Sequence, residues 1–355
     1  CPGVLEVFEE LLAQPDGDRV YVDGAEPVIG RTIGDLCTLL PQAVVFGVLR
    51  GIEGVEPILN PSPDFVLESG DRLLSIASDL KHTSHFDLES VPERGPEFDP
   101  QDYRGSEGVR RVLILGWSRK VPVLIDALGG DPIHAQAIDV FSRVPISERE
   151  TLVERDCAAH RTKSVRHLEG DVTSRHDLSR LDFNSYDHVL LVASDRLESD
   201  AESDARTMLT CLAVDDLLGS GARPHMTAEM LQTENADLFR ARGISVMQTA
   251  VIPSMLLTQI TLHRELSAAF DDIIRPGGAE LRIVSAEEVG LSLGESSFAR
   301  VRLEGLARGV TVLGIRGQSP AGTSDLAPDA HRIFHLEPDT QLVVLLTVTR
   351  RSSGM

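Results

Sequence analysis

The amino-acid sequence predicts an α/β chain, in which a doubly wound parallel sheet domain is flanked by two small α+β lobes. Three observations carry that prediction. Residues 111–247 alternate short apolar, β-branched runs with amphipathic segments, as strands covered by helices do. An ordered series of motifs near the start returns near the end, which marks an internal repeat. The run Val112-Leu113-Ile114-Leu115-Gly116-Trp117-Ser118-Arg119-Lys120 drives four apolar residues into a glycine before a helical pattern. A nucleotide-binding, Rossmann-like sheet opens in this way.

The repeat begins with Phe8-Glu9-Glu10-Leu11-Leu12, answered by Phe270-Asp271-Asp272-Ile273-Ile274. Next come Val28, Gly30, Ile33, Gly34 and Asp35, answered by Val289, Gly290, Leu293, Gly294 and Glu295. Residues 46–51 match 312–317, and residues 66–78 match 335–347. Each copy reads as a helix end, a strand, a glycine-bounded short helix, and two or three further strands. Turns fall at Glu68-Ser69-Gly70-Asp71 and Glu337-Pro338-Asp339, and β-branched runs at 43–49, 310–315 and 342–348 are strands. Between the copies, residues 81–108 are rich in Pro, Gly, Asp, Glu and Ser without periodicity, so they read as a linker.

From residue 111 the expected strands are 112–115, 135–141, 165–168, 188–193, 224–228 and 245–247. The expected helices are 121–128, 147–155, 174–181, 205–218 and 236–242. Ser147 would cap the second helix with Glu150 three residues on, and Asp177 would complete a capping box with Ser174. One long amphipathic helix is expected over 254–274. The resulting domains are a small lobe at 1–80, a linker at 81–108, a sheet domain at 109–252, a connecting and dimerising helix at 253–276, and a second lobe at 277–350. The first lobe is preceded only by the last turns of such a helix. The sequence is therefore expected to be a fragment with a matching α/β domain upstream.

Composition excludes some functions. Fifty-five acidic residues against 34 Lys and Arg give a formal net charge of −21, which disfavours a nucleic-acid partner. Cys1, Cys37, Cys157 and Cys211 are far apart, so neither a zinc site nor a disulfide framework is indicated, and reduced, cytosolic-type usage fits better. No run reaches the ~20 apolar residues of a membrane span. The most apolar region, residues 250–262, is interrupted by Pro253, Ser254, Thr258, Gln259 and Thr261. No nucleophile elbow, Walker loop or HExxH pattern points to catalysis, so the chain is read as a non-enzyme.

A dinucleotide cradle needs glycine for the tight turn, a second for pyrophosphate approach and a third for close helix packing. Gly116 supplies the first. Ser118 and Val121 stand at the other two places, and bulky Trp117 lies between. The degraded cradle argues against tight NAD binding, although Arg119 and Lys120 could meet an anion at the helix start. Asp139 falls near the place of a ribose-binding acid, but inside its strand. Further along the same edge stand Asp195, Glu198, Asp200, Glu202 and Asp204, and then Glu229. Crowded carboxylates suit a hard cation such as calcium. Acids at a helix start are also stabilised by the helix dipole alone, and Glu229 could simply pair with Arg119.

The order of sheet domain, connecting helix and small lobe resembles the RCK (TrkA-type) domains of cation-channel gating rings, and more closely those of the CASTOR/POLLUX/SYM8 ion-channel group. The resemblance rests on Leu113 to Lys120, Leu181 to Asp195, Ser203 to Leu212, Thr227 to Leu231, Ser267 to Ile274 and Ile58 to Ser78. It covers nearly the whole chain except the linker. Glu169 to Ser174, "EGDVTS", resembles the GDxT segment of RCK domains and adds Asp171 to the candidate ligand residues. The resemblance implies a regulatory module on the cytoplasmic side of a membrane protein. Paired copies would form a ring beneath a tetrameric pore, with calcium as first candidate ligand and a nucleotide as second. The rival expectations are an NAD(P)-dependent oxidoreductase, a TrkA-type potassium-transport subunit, and an envelope protein lipid-anchored at Cys1.

Overall fold

The repeat takes shape as two lobes of one unit, residues 3–105 and 255–355, while residues 106–254 form a second unit. The computed structural model describes residues 3–13, 19–51, 56–92, 110–129, 136–157, 165–218, 223–232, 236–240, 242–262, 264–275, 278–317 and 324–347.

The first lobe runs α1 (Val4–Ala13), β1 (Arg19–Gly24), α2 (Ile33–Leu39), β2 (Ala43–Arg50), β3 (Glu56–Leu59), β4 (Arg72–Ala77) and α3 (Leu80–Ser84). Its antiparallel sheet has the order β1-β4-β2-β3. Helix α2 starts with a capping box: the Asp35 N–H donates to the Thr32 hydroxyl, and the Thr32 N–H donates to the Asp35 carboxylate. Helix α3 lies within the stretch expected to be linker. It forms because Asp79 caps the Lys81 N–H and buried Thr83 donates to Asp23. Residues 93–108 of that linker lie outside the described residues.

The second unit contains β5 (Arg110–Leu115), α4 (Val121–Gly129), β6 (Gln136–Ser142), α5 (Ile146–Asp156), β7 (Val165–Glu169), α6 (Arg175–Leu178), β8 (His188–Leu191), α7 (Asp200–Leu218), β9 (His225–Met230), α8 (Ala236–Arg240) and β10 (Ser245–Gln248). Its six strands are all parallel, in the order β10-β9-β8-β5-β6-β7. The chain therefore winds outward in both directions from β5 and reverses between β5 and β8, the place where such sheets take ligands. Successive residues face opposite sides. Leu113 and Leu115 pack with Phe141, Val189 and α7 on one face. Val112 and Ile114 pack with Ile138, Val140, α4 and α5 on the other.

Two caps differ from expectation. Helix α5 begins at Ile146 behind Pro145, whose carbonyl accepts the Glu148 and Arg149 N–H groups, so Ser147 is already helical and caps nothing. At α6 the Ser174 hydroxyl does accept the Asp177 N–H, but the Asp177 carboxylate accepts from the Asp171 N–H instead of closing the box.

The expected single helix over 254–274 is two: α9 (Val251–Leu262) and α10 (Leu266–Ile274), separated by a turn at Arg264 and Glu265. The two have different packing needs. Helix α10 turns Leu266, Ala269 and Phe270 inward, whereas α9 exposes Pro253, Ser254, Leu257, Thr258 and Thr261 and has no fully buried side chain among the described residues.

The second lobe follows as β11 (Ala279–Ser285), α11 (Ala286–Val289), β12 (Gly294–Ser297), α12 (Phe298–Ala307), β13 (Val310–Arg316), β14 (Ser324–Leu326), β15 (Ile333–Leu336) and β16 (Gln341–Thr347). Its main sheet, β11-β16-β13-β14, repeats the first lobe strand for strand. Irregularities are shared too. The register shifts between Val45 and Gly47 and again between Val312 and Gly314. Asn60 and Ala327 are the two non-glycine residues with positive φ among the described residues, at 51° and 43°. Their N–H groups donate to Phe46 at 2.8 Å and Leu313 at 2.9 Å.

The pairing of Ile33, Gly34 and Asp35 with Leu293, Gly294 and Glu295 needs correction. The equivalent N-caps are Thr32 and Ser297, and Gly34 matches Ala299: their N–H groups reach Pro63 at 2.9 Å and Ala330 at 2.8 Å. Extra residues in the second copy build strand β12, which shifts the alignment.

Candidate functional site at the carboxyl edge of the parallel sheet

Gly116 ends β5 with φ of 101°, and a Cβ there would lie 2.6 Å from the Val192 carbonyl oxygen. Only glycine fits this turn, which its N–H fixes by donating to Phe141 at 3.0 Å. The rest of a dinucleotide cradle is closed. Trp117 is 2% exposed and packs in the core with Val121 and Ile125, and Ser118 is 1% exposed. Below Trp117 lies Arg149 of α5, wholly buried. It donates to the carbonyls of Val144 at 2.8 Å, Val140 at 2.9 Å and Leu168 at 2.9 Å. Burial pulls its pKa down, and burial likewise lowers that of neighbouring His167. The residues present do not fit a dinucleotide: the room a second glycine would leave for pyrophosphate is occupied by core.

Solvent-facing groups of the same edge hold one another. The Asp195 carboxylate accepts the Arg119 N–H at 3.0 Å and faces the Arg119 side chain at 3.4 Å. Glu229 accepts from the Ala193 N–H at 3.0 Å, the Thr249 hydroxyl at 2.8 Å and the Lys120 ammonium. Glu229 therefore pairs with Lys120, not Arg119. Together these contacts tie the β5 turn to the ends of β8, β9 and β10, across the reversal point of the sheet.

Asp171 follows β7 and accepts from the Thr173 N–H at 2.9 Å and hydroxyl at 2.8 Å, with Arg143 at 3.4 Å. Burial pushes its carboxyl up, but those donors and Arg143 more than offset that and hold it below its ordinary value.

The remaining acids do not gather. Glu198 and Asp200 are exposed, and Glu202 pairs with Arg206 along α7 at 3.4 Å. Asp204 is 2% exposed and accepts the N–H groups of Leu231 at 2.9 Å and Gln232 at 2.8 Å. The helix spacing puts Asp200 and Asp204 on one side, but Asp204 turns inward to hold the end of β9 while Asp200 stays in solvent. Among the described residues no three His, Cys, Asp or Glu side chains converge as a metal site requires. Asp195, Glu198, Asp200, Glu202, Asp204 and Glu229 thus stand apart along this edge, paired with separate partners or facing solvent.

Asp139 also stands elsewhere. Its neighbours in register are Leu113 and Arg166, three residues short of the strand end at Ser142, beside Gly116. It accepts from Arg166 and, at 2.5 Å, from the Tyr186 hydroxyl. Sequence reasoning missed Arg149 and Thr249. Arg149 is readable in hindsight, four residues before buried Val153 on the inward stripe of α5.

No family model matches the chain. The ion channel POLLUX of Lotus japonicus is 22% identical over 350 residues, 89% of this chain and 38% of that protein. The probable ion channel CASTOR of Oryza sativa subsp. japonica is 24% identical over 349 residues, again 89% of this chain and 39% of its own length. The structure of the human SLO3 gating ring superposes with a TM-score of 0.70 at 12% identity, covering 98% of this chain and 73% of that one. The homologues of this chain are ion channels of the CASTOR/POLLUX/SYM8 group, and its fold is that of a gating ring. The chain spans about two fifths of the length of those relatives. A GsuK channel bound to NAD aligns at a TM-score of only 0.30, so that nucleotide is said of GsuK alone. Among the described residues no helix is long and apolar enough to cross a membrane.

Proposed function

We propose that this chain is a non-catalytic regulatory module of a cation channel, acting on the cytoplasmic side of the membrane as part of a ring of identical copies. The observation that carries this reading is similarity to ion channels along 89% of the chain. The fold likeness to a gating ring supports it, and the net charge of −21 speaks against nucleic acid.

A ligand shifts such a module between two arrangements only if it binds one of them better. In this reading the responsive element is the pair of links Arg119–Asp195 and Lys120–Glu229, which bridge the sheet where its winding reverses. A small charged ligand at that edge would compete for these groups. Helix α9 supplies the seat for a neighbouring copy: Val251, Ile252, Leu256 and Ile260 are only half covered, and Leu257 is 66% exposed. Among the described residues Leu257 is the one large apolar side chain on the exposed side of α9, beside Pro253, Ser254, Thr258 and Thr261, so the seat would centre on it.

The test measures the current carried by the full-length gene product while calcium, ATP or NAD is applied to its cytoplasmic face. Lys120→Met and Glu229→Gln are expected to move the midpoint of the response to whichever ligand acts. An unchanged response in both variants removes the carboxyl edge as the sensing element. Light scattering on the isolated chain tests the helix: Leu257→Glu should lower the oligomeric state, and an unaltered mass rules out α9 as the seat.

A further inference from the structure

We propose that one face of the parallel sheet carries a second binding site, a cavity lined by Arg111, Arg166 and Arg180 that takes a small multivalent oxyanion. The cavity measures about 360 Å³ and opens on the face of the sheet that carries Leu113 and Leu115. Ligand cavities begin at roughly 300 Å³. Its floor is apolar, formed by Phe141 and Leu168, which stand side by side on β6 and β7. One step toward the amino end of those strands the row turns polar, with Asp139 beside Arg166. The segment from Arg180 to Tyr186 forms the opposite wall.

Three guanidiniums in one cavity are unexpected in a chain of net charge −21. Neutralising Asp139 does not require all three. Its carboxylate takes two N–H groups from Arg166 and the Tyr186 hydroxyl, which meets its main needs. Burial, then Asp139 itself, pushes the Tyr186 pKa up to about 12, so the hydroxyl keeps its proton and remains a donor. Arg111 lies 3.8 Å from Asp139 with its guanidinium over the Tyr186 ring at 4.9 Å. Arg180 is exposed, and among the described residues no carboxylate is within ion-pair distance of it. Asp182 is the one acid on the rim. Arg180 therefore brings a charge and a forked donor that no acid consumes, and Arg111 and Arg166 share the single charge of Asp139. Such forks match the paired oxygens of phosphate and carboxylate. The ligand class is accordingly a phosphate ester or a di- or tricarboxylate, and the aromatic and apolar floor accommodates its carbon skeleton.

The test is calorimetric titration of the full chain with inorganic phosphate, pyrophosphate and citrate, at ionic strength matched with sodium chloride. Saturable binding of at least one probe is expected. Pyrophosphate binding alone assigns phosphate as the recognised group, and citrate binding alone assigns carboxylate. Arg180→Ala should weaken the binding about 10-fold, the loss of one charge-assisted contact. Asp182→Asn should tighten it. Both residues are exposed, so circular dichroism should show both variants folded. Failure of all three probes to saturate overturns the proposal, as does binding that Arg180→Ala and Arg111→Gln leave unchanged. Neither result bears on the carboxyl edge, whose ligand response is read separately.

Discussion

Replacing Asp204 with alanine separates a structural role from a cation-binding one. Both oxygens of this carboxylate, on a side chain 2% exposed, accept backbone N–H groups just past β9. Asp204→Ala leaves two donors without partners. Hydrogen bonds to a charged group contribute about 1.5–3 kcal/mol each. Gln232 is exposed, so water recovers part of that loss, and a net cost of about 3 kcal/mol is expected. The second unit, residues 106–254, is of a size for which each kcal/mol moves the melting temperature by about 2–4 °C. The expected drop is thus about 6–12 °C. Asp204→Asn keeps one acceptor and should lose roughly half as much. The assay is thermal unfolding by circular dichroism in EDTA and in calcium chloride. The structural role requires the same loss in both buffers. A variant that melts with the wild type in EDTA, or a deficit seen only with calcium, refutes the reasoning and restores Asp204 as a cation ligand.

Other perturbations follow from single contacts. Gly116→Ala forces a Cβ against the Val192 carbonyl at positive φ, so a loss of about 2–4 kcal/mol is expected in urea unfolding. The two register-shift glycines should differ. An added Cβ at Gly314 meets the Asp325 carbonyl oxygen at 2.4 Å, whereas at Gly47 it first meets the movable Leu59 side chain at 2.8 Å. Gly314→Ala should therefore destabilise by about 1–2 kcal/mol more than Gly47→Ala. Lys120→Met should cost at most about 1 kcal/mol, because Lys120 is half exposed and Glu229 keeps its other two donors. Acid unfolding reports on Asp71, 2% exposed and held below the ordinary carboxylate value chiefly by the Arg50 hydrogen bond. A depressed folded pKa gives stability that is complete above the unfolded value and is lost as pH falls through the folded one. Arg50→Met should move the acid midpoint of the first unit to higher pH, and a midpoint that stays put contradicts the pairing.

The sheet was legible because its strands are nearly continuous apolar runs bounded by turns, and each of the six expected strands forms within a few residues of its place. The repeat was legible because the same turn chemistry recurs in the same order. What escaped was side-chain direction. Asp200 and Asp204 share a helix side in any sequence reading, yet one faces water and the other a strand end. Asp139 lies inside its strand in the sequence as in the structure, but spacing along the chain carries no register and could not show that it faces Arg166 and Tyr186. Nothing in sequence order links Trp117 to Arg149, which reaches it only through the packing of α5 against the sheet.

The repeat also changes where a partner copy can bind. One apolar cavity of the first unit is lined by matched residues of the two lobes: Phe8 with Phe270, Leu11 with Ile273, and Phe46 with Leu313, the residues at the two register shifts and one place off the sequence match. Each lobe thus covers the other's apolar face, as the halves of a two-fold dimer do. Polar contacts seal the pairing. Asn60 donates to the Gly309 carbonyl at 2.6 Å and accepts from the Thr311 hydroxyl at 2.7 Å. A dimer built through the small lobes would compete with a pairing the chain has already made with itself. Helix α9 instead leaves Leu257 66% exposed. Contact between copies should therefore centre on α9, with the paired lobes behaving as one rigid piece. Asn60→Ala tests the difference: it should loosen the lobe pair in hydrogen exchange of β3 and β14 without changing the mass of the assembly.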